Sequence, residues 1–316
     1  AAWTARVSLD GGPFRAFGAD FTQLHGSLAY AGDAIRFSTD AVAYGATLRG
    51  AGTITVRPAL VIDVHGDRVS DLDPRRLPKA WGFLPLDASL NASAYAVRWT
   101  DRHWTVDSTL EPSTVEGAAL AAGTTVKIAS DPGVLRVAAD GTVQHLDGRR
   151  MGVATGLTGL DDPRFAGALN GRFTISGTGP DLPNIDLTAD ADLVASTALV
   201  GADIASATVH YTRRSHANTV HVVGPVAHLN PASLGASAAL ASDLNGEADL
   251  TAAWRDDVAD VTGSVSAEGT LRLGASTVAE LPISAGAVTG AWSQGRFRID
   301  RGLLENRGQR TEVGRN

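Results

Sequence analysis

The sequence predicts an all-β fold, an elongated and curved antiparallel sheet built from tandem meander repeats. Three observations carry this reading. Apolar and polar residues alternate with a period of two along most of the 316 residues. Short clusters of Gly, Asn and Asp interrupt that alternation at hairpin spacing. Two longer phrases, one opening and one closing a run of strands, recur in order. Composition agrees: 44% of residues are hydrophobic, only 6% are aromatic, and there are 35 glycines. Small and β-branched residues with frequent glycine suit strands and turns.

The elements follow in chain order. In "WTARVSL", Trp3, Ala5, Val7 and Leu9 share one face, with Thr4, Arg6 and Ser8 opposite. Ile35 with Phe37, Ile54 with Val56, and Leu60 with Ile62 and Val64 continue the pattern. Trp104 with Val106, Val126 with Ile128, Leu135 with Val137, and Phe173 with Ile175 come next. The cleanest strand is "NIDLTADADL". Ile185, Leu187, Ala189, Ala191 and Leu193 take one face; Asp186, Thr188, Asp190 and Asp192 take the other. Val220 with Val222, Leu250 with Trp254, Val261 with Val265, Leu271 with Leu273, and Phe297 with Ile299 complete the series. Helical spacing is sustained only after Leu229, where Asn230 caps a short helix with Pro231 at its first position. Strands with one wet face are antiparallel. "AGD", "SDPG", "ADG", "RSHAN", "WRDD" and "SQG" therefore read as hairpin connections.

The opening phrase is "LHGSLAYAG" from Leu24, "LDASLNASA" from Leu86, "LNGRFTISG" from Leu169 and "LNGEADLTA" from Leu244. The closing phrase is "VSDLDPRRLP" from Val69, "VQHLDGRRMG" from Val143 and "VAHLNPASLG" from Val226. One continuous array over residues 1–316 results, with a partial unit 1–23 and units 24–85, 86–168, 169–243 and 244–316. The last unit has no clear closing phrase beyond "LLENRGQR". The closing phrase reads as punctuation, with Leu146 and Met151 against the sheet and Arg149 and Arg150 in water.

Charge and chemistry exclude several function classes. A net charge of −7 argues against a nucleic-acid partner. The absence of cysteine excludes disulfides, thiolate metal sites and a Cys nucleophile. No window approaches the roughly 18 apolar residues of a membrane-spanning helix. The start in mid-pattern reads as an excised fragment. There is no phosphate loop, no HExxH and no GxSxG elbow, so no catalytic residue, metal ligand or cofactor is assigned and the chain reads as a non-enzyme. "GTGPD" at Gly177 reads as a turn. His210, His216, His221 and His228 cluster in sequence. His210 and His221 facing across a hairpin would permit a metal site, although wet-face positions are the plainer reading. Arg75-Arg76, Arg149-Arg150 and Arg213-Arg214 read as solvated loop charges, and Asp161-Asp162 and Asp256-Asp257 as turn residues. The Asp186–Asp192 face keeps an exposed sheet soluble, with calcium binding as the sharper alternative. Asn91 heads a formal glycosylation sequon. Trp3, Trp81, Trp99, Trp104, Trp254 and Trp292 read as core residues.

Tandem meanders must cover their apolar faces. Two sheets can close on each other in a sandwich, or one curved sheet can leave its apolar face as a groove for another apolar substance. The "LNGRFTISG" and "LNGEADLTA" openers, the alternating "IRFSTDAVAYGATLRGAGTITV" from Ile35, and the Val-x-x-Leu-Asp closers resemble the repeats of TamB and AsmA-like proteins, the bridge-like lipid-transfer proteins. That resemblance spans most of the chain and implies a β-taco groove in the periplasm of a two-membrane bacterium. It implies phospholipid acyl chains as ligand, an inner-membrane anchor outside this segment, and an outer-membrane barrel partner. Transport of phospholipid between the membranes and support of outer-membrane assembly are the implied functions. The expected groove liners are Ile35, Phe37, Ile54, Val56, Phe173, Ile175, Ile185, Leu187, Leu193, Val220, Val222, Phe297 and Ile299. The main rival is a structural or adhesive secreted β-repeat protein. A solenoid would repeat at about 20–30 residues. An outer-membrane barrel would need aromatic girdles, and a carbohydrate-active sandwich a convergent acid pair.

Overall fold

The computed structural model describes residues 4–16, 19–79, 84–156, 162–198, 201–234, 238, 241–293, 296–306 and 308–314. Trp3, Trp81, Asp161, the side chain of Phe297, and residues 294–295 of "SQG" lie outside the described residues. The fold is all-β, an antiparallel sheet in meander order. The chain divides into two compact units, Ala1–Thr142 with Ser176–Pro183, and Val143–Ile175 with Asn184–Asn316.

The strands of the first part are β1 (Thr4–Gly11), β2 (Phe14–Ala16), β3 (Ala19–Ala31), β4 (Ala34–Ala43), β5 (Ala46–Thr55), β6 (Val61–Leu72), β7 (Ala88–Thr100), β8 (Trp104–Leu110), β9 (Ser113–Val115), β10 (Ala118–Leu120), β11 (Thr125–Asp131) and β12 (Val134–Leu146). Both β1 and β2 pair with β3, and the ladder then runs β3-β4-β5-β6-β7-β8-β11-β12. The short β9 takes the place of β8 beside the start of β7 and turns into β10.

Helix α1 (Gly148–Thr155) follows, then β13 (Leu169–Gly179), β14 (Asp186–Ala198), β15 (Ala202–Arg214), β16 (Ala217–Leu229), β17 (Ser242–Arg255), helix α2 (Val261–Ser264), β18 (Ser266–Leu273), β19 (Ser276–Val278), β20 (Leu281–Ile283), β21 (Ala285–Ser293), β22 (Arg296–Asn306) and β23 (Gln309–Gly314). The second unit's ladder is β14-β15-β16-β17-β18-β21-β22-β23. Again a short strand, β19, lies beside the start of the long one, β17, and turns into β20. Tight hairpins use two left-handed residues, as the strand twist prefers. They are Tyr44-Gly45, Glu116-Gly117, Ser215-His216 and Ala279-Glu280.

Three local expectations are corrected. "ADG" at Ala139 is not a turn but the middle of β12, because its neighbours pair on with β11. Gly177 lies inside β13, and the chain bends only from Pro180. Val261 is not in a strand with Val265; it starts α2, where the Asp260 side chain accepts the Gly263 N–H at 2.7 Å.

The closing phrase now has a physical reason. Val69 pairs with Ala92 and Leu72 with Leu90, so three steps on β6 match two on β7. Val226 and Leu229 do the same against Gly246 and Leu244. The extra residue is a β-bulge, and it lets two apolar residues three apart point to the same side. The residue absorbing the bulge is left-handed in all three phrases: Asp71 (φ 59), His145 (φ 58) and His228 (φ 60). Its freed N–H is captured by the asparagine of the next opener. Asn91 Oδ1 accepts it from Asp71 at 3.0 Å, Asn170 Oδ1 from His145 at 2.8 Å, and Asn245 Oδ1 from His228 at 3.0 Å. The Asp or Asn two places later caps a helical turn. Asp73 accepts from the Arg75 N–H, Asp147 from Arg149 and Arg150, and Asn230 from Ala232. The cap at Asn230 matches the short helix expected there, a 3-10 turn over Pro231–Leu234. After Asp147 the capped turn grows into α1, ended by left-handed Gly156, and Arg149 and Arg150 are exposed.

The buried residues gather at these same strand ends. In the second unit Ala202, Leu229, Leu244 and Leu273 form a core, with Val226, Leu271, Val278, Val288 and Leu304 packed on it. In the first unit the buried apolar set is largely alanine: Ala41, Ala43, Ala46, Ala88, Ala92 and Ala118, with Leu110 and, toward the opposite strand ends, Ile54. Little apolar area is sealed there, so cross-strand pairs and ladder hydrogen bonds must carry much of the stability.

Candidate functional site

Register decides which residues are neighbours on a face. In unit one Val7, Leu28, Phe37, Gly52, Val64, Val97, Val106, Ile128 and Val137 are successive cross-strand partners. A second row beside it runs Tyr30, Ile35, Ile54, Ile62, Trp99, Trp104, Ser130, Leu135. The opposite face carries Arg36, Asp63, Arg98, Asp107, Lys127 and Arg136. The apolar face is floored by glycine where rings lie flat on it. A Cβ on Gly52 would stand 2.8 Å from the Phe37 ring, and one on Gly66 would stand 2.3 Å from the Tyr95 ring.

The apolar rows are half-buried rather than sealed. Phe37, Val64, Val97, Val106, Ile128 and Val137 all keep solvent exposure, and of the row residues with large side chains only Ile54 counts as buried. A face packed against a second sheet would lose nearly all of it. The sandwich alternative therefore finds no filled core beneath these residues.

Unit two repeats the arrangement. Ala189, Tyr211, Val220, Ala252, Ala267 and Trp292 form one row, ending at the backbone of Phe297. Ala191, Val209, Val222, Leu250, Gly269, Gly290 and Ile299 form the next. All of these, the Phe297 side chain aside, are half-buried. Of the expected liners, Ile35, Phe37, Val220, Val222 and Ile299 lie in half-open rows, and Phe173, Ile175 and Leu187 are likewise half-buried. Val56 is 46% exposed beyond the end of β5. Ile185 and Leu193 are only 5% and 8% exposed, so their side chains offer little surface to a ligand.

Next to these rows the apolar face of unit two is closed by charge. Arg213 follows Leu187 in the ladder and precedes Asn218 and Trp254. Its Nε donates to Asp256 Oδ2 at 2.8 Å and its Nη1 to the Ile185 carbonyl at 2.9 Å. The two side chains are 8% and 7% exposed. His216 Nδ1 lies 2.9 Å from Asp256 Oδ1, and the Tyr211 hydroxyl donates to Asn218 Oδ1 at 2.6 Å. The Tyr211 and Trp254 rings stand 6.1 Å apart. Desolvation pushes Asp256 upward, but hydrogen bonds from Arg213 and His216 outweigh it and hold the carboxyl below its ordinary value. Desolvation pushes the Tyr211 hydroxyl up to about 12. The reading of Arg213 as a solvated loop charge is thus corrected, whereas Asp256 lies, as read, in the turn that follows β17. Arg214 and Asp257 are exposed as expected, and Asp257 pairs with Arg255.

The wet face holds histidine–aspartate pairs between strands. His210 does face His221 across the hairpin. However, His210 Nδ1 lies 2.6 Å from Asp190 and His221 Nε2 2.8 Å from Asp249, so each turns to its own carboxylate. Among the described residues no group of three His, Cys, Asp or Glu could hold a metal ion. A shallow concavity on this face of unit two is lined by Arg172, Thr174, Asp190, Asp192, His210 and His221. The Asn91 sequon is committed to structure: Nδ2 donates to the Pro112 carbonyl at 2.8 Å while Oδ1 holds Asp71.

One set of recurring residues escaped sequence reasoning. The backbone N–H of Asn91, Asn170 and Asn245 donates to Ser113, Ser196 and Ser276 Oγ at 2.9, 2.8 and 3.0 Å. Each serine returns a bond to the same asparagine's carbonyl. The signal was present as "STVEGA", "STALVGA" and "STVAEL".

No helix among the described residues is long and apolar enough to cross a membrane. No family model, curated protein or solved structure matches this chain.

Proposed function

We propose that the apolar faces hold phospholipid acyl chains, the chain being a segment of a periplasmic lipid-conducting β-groove between inner and outer membranes. One observation carries this: in unit one an apolar row crosses nine strands and stays half-open to solvent. Uncovered apolar area costs about 25 cal/mol per Å², and each buried methylene recovers about 0.8 kcal/mol. A hydrocarbon chain laid along such a face needs no directional partner. The role of Phe37, Val64 or Val222 is then to solvate, not to react, consistent with a non-enzymatic carrier. The resemblance to TamB and AsmA-like proteins supports the periplasmic setting, the inner-membrane anchor and a part in outer-membrane assembly.

The test is solvent extraction of protein purified from a two-membrane bacterium, with phospholipid quantified by mass spectrometry. Bound phospholipid is expected, and the Val64→Asp, Val222→Asp double variant should retain roughly tenfold less, since a charge on the face opposes a methylene chain. Lipid-free wild-type protein contradicts the reading.

A further inference from the structure

We propose that one rim of unit one docks on the surface of an anionic lipid bilayer. The second apolar row runs along strand ends and hairpin turns, away from the buried alanine cluster. Tyr30 is the last residue but one of β3, Val56 follows β5, and Trp99 and Trp104 face each other across the turn between β7 and β8. Tyr30 is 39% and Trp99 36% exposed, so large amphipathic rings stand in solvent at one edge. Rings of this kind settle at the headgroup level of a bilayer, apolar body inward and polar tip out.

Charge selects the occupant. Arg6, Arg36, Arg57, Arg98 and Arg102 lie on the strand ends and turns of this rim. All are exposed, and among the described residues none of their guanidinium groups has an ion-pair partner. Asp131, in an adjoining turn, is taken by His103 at 2.5 Å and by Arg136. Asp33, Asp63 and Asp101 share the rim, Asp63 opposite Arg98 in the ladder, so the five arginines exceed these three exposed carboxylates by two. The chain as a whole carries −7, so this rim runs against the net charge. Free arginines around exposed tryptophan and tyrosine match phosphate headgroups over an apolar interior. The strand ends of unit two that carry Trp254 offer the opposite case, because Arg213 there is sealed by Asp256.

The experiment is co-sedimentation of the whole chain with vesicles of phosphatidylcholine alone or mixed with phosphatidylglycerol. Binding is expected with the mixed vesicles, weakened by salt. Each arginine near an anionic surface contributes about fivefold, so Arg57→Glu with Arg102→Glu should weaken binding at least about twentyfold. Trp99→Ser should weaken it as well, and Arg272→Glu with Arg301→Glu, exposed residues of unit two, should lower it by far less. Brominated lipid should quench tryptophan emission in the wild type and less in Trp99→Phe. Circular dichroism confirms that each variant is folded. Equal sedimentation with both vesicle types overturns the proposal, as does an unchanged affinity in the arginine variant. Self-association abolished by Trp99→Ser, without vesicle binding, would assign the rim to a second copy and also overturn it. Extracted phospholipid is read independently, so loss of vesicle binding with lipid still bound leaves the acyl-chain reading intact.

Discussion

Arg213 and Asp256, 43 residues apart, form a closed ion pair with Nε to Oδ2 at 2.8 Å and both side chains under a tenth exposed. Removing one partner leaves the other charge buried and unpaired. Asp256→Asn should therefore cost about 3–5 kcal/mol, read as a shift in the urea midpoint. Arg213→Met with Asp256→Leu should cost less than either single change, because an apolar pair leaves no stranded charge.

The same pair sets an acid response. Hydrogen bonds from Arg213 and His216 overcome desolvation and hold Asp256 below its ordinary value in the folded chain. The unfolded chain thus takes up the proton first as pH falls. The contribution is complete above about pH 4 and is lost as pH drops through the folded-state value. Wild-type stability should fall more steeply than that of Asp256→Asn as pH drops below about 4. Parallel profiles would remove Asp256 from the acid response.

Asn245 and Ser276 exchange two hydrogen bonds, N to Oγ at 3.0 Å and Oγ to the carbonyl at 3.1 Å. Ser276→Ala leaves the buried end of this exchange unpaired and should cost about 1–3 kcal/mol. Asn245→Ala keeps these two backbone bonds but frees the His228 N–H at the bulge and the Ala275 carbonyl beside Ser276. A double-mutant cycle should show coupling of at least about 0.5 kcal/mol. Additive losses would show that the clamp does not act as a unit.

Gly66 lies under the Tyr95 ring, and a Cβ there would stand 2.1 Å from the Arg49 carbonyl oxygen. Gly66→Val should destabilise by about 1–3 kcal/mol in thermal unfolding. Tyr95→Ala should not rescue it, because the closer obstacle is backbone.

Strand alternation was legible in the sequence because a half-open face preserves the period of two. Ile35, Phe37 and Ile54 share a face as the pattern required. The repeated closing phrase was legible too, but not its cause. A spacing of three between Val226 and Leu229 breaks the strand period, and only the bulge at left-handed His228 restores it. The Arg213–Asp256 pair was hidden, since two charges in separate turns carry no local sign that register will bring them together. Helix α1 was missed because "DGRRMGVAT" has a capping Asp but no apolar stripe.

The most direct test of the central claim uses neighbouring residues on opposite faces. Photocrosslinking side chains are placed at Val64 and Val222 on the apolar face, and at His65 and His221, the adjacent residues on the wet face. After irradiation in cells, crosslinked phospholipid is read by mass spectrometry. An acyl-chain groove gives lipid adducts at Val64 and Val222 and none at His65 and His221. Adducts absent from all four, or equal on both faces, would contradict it.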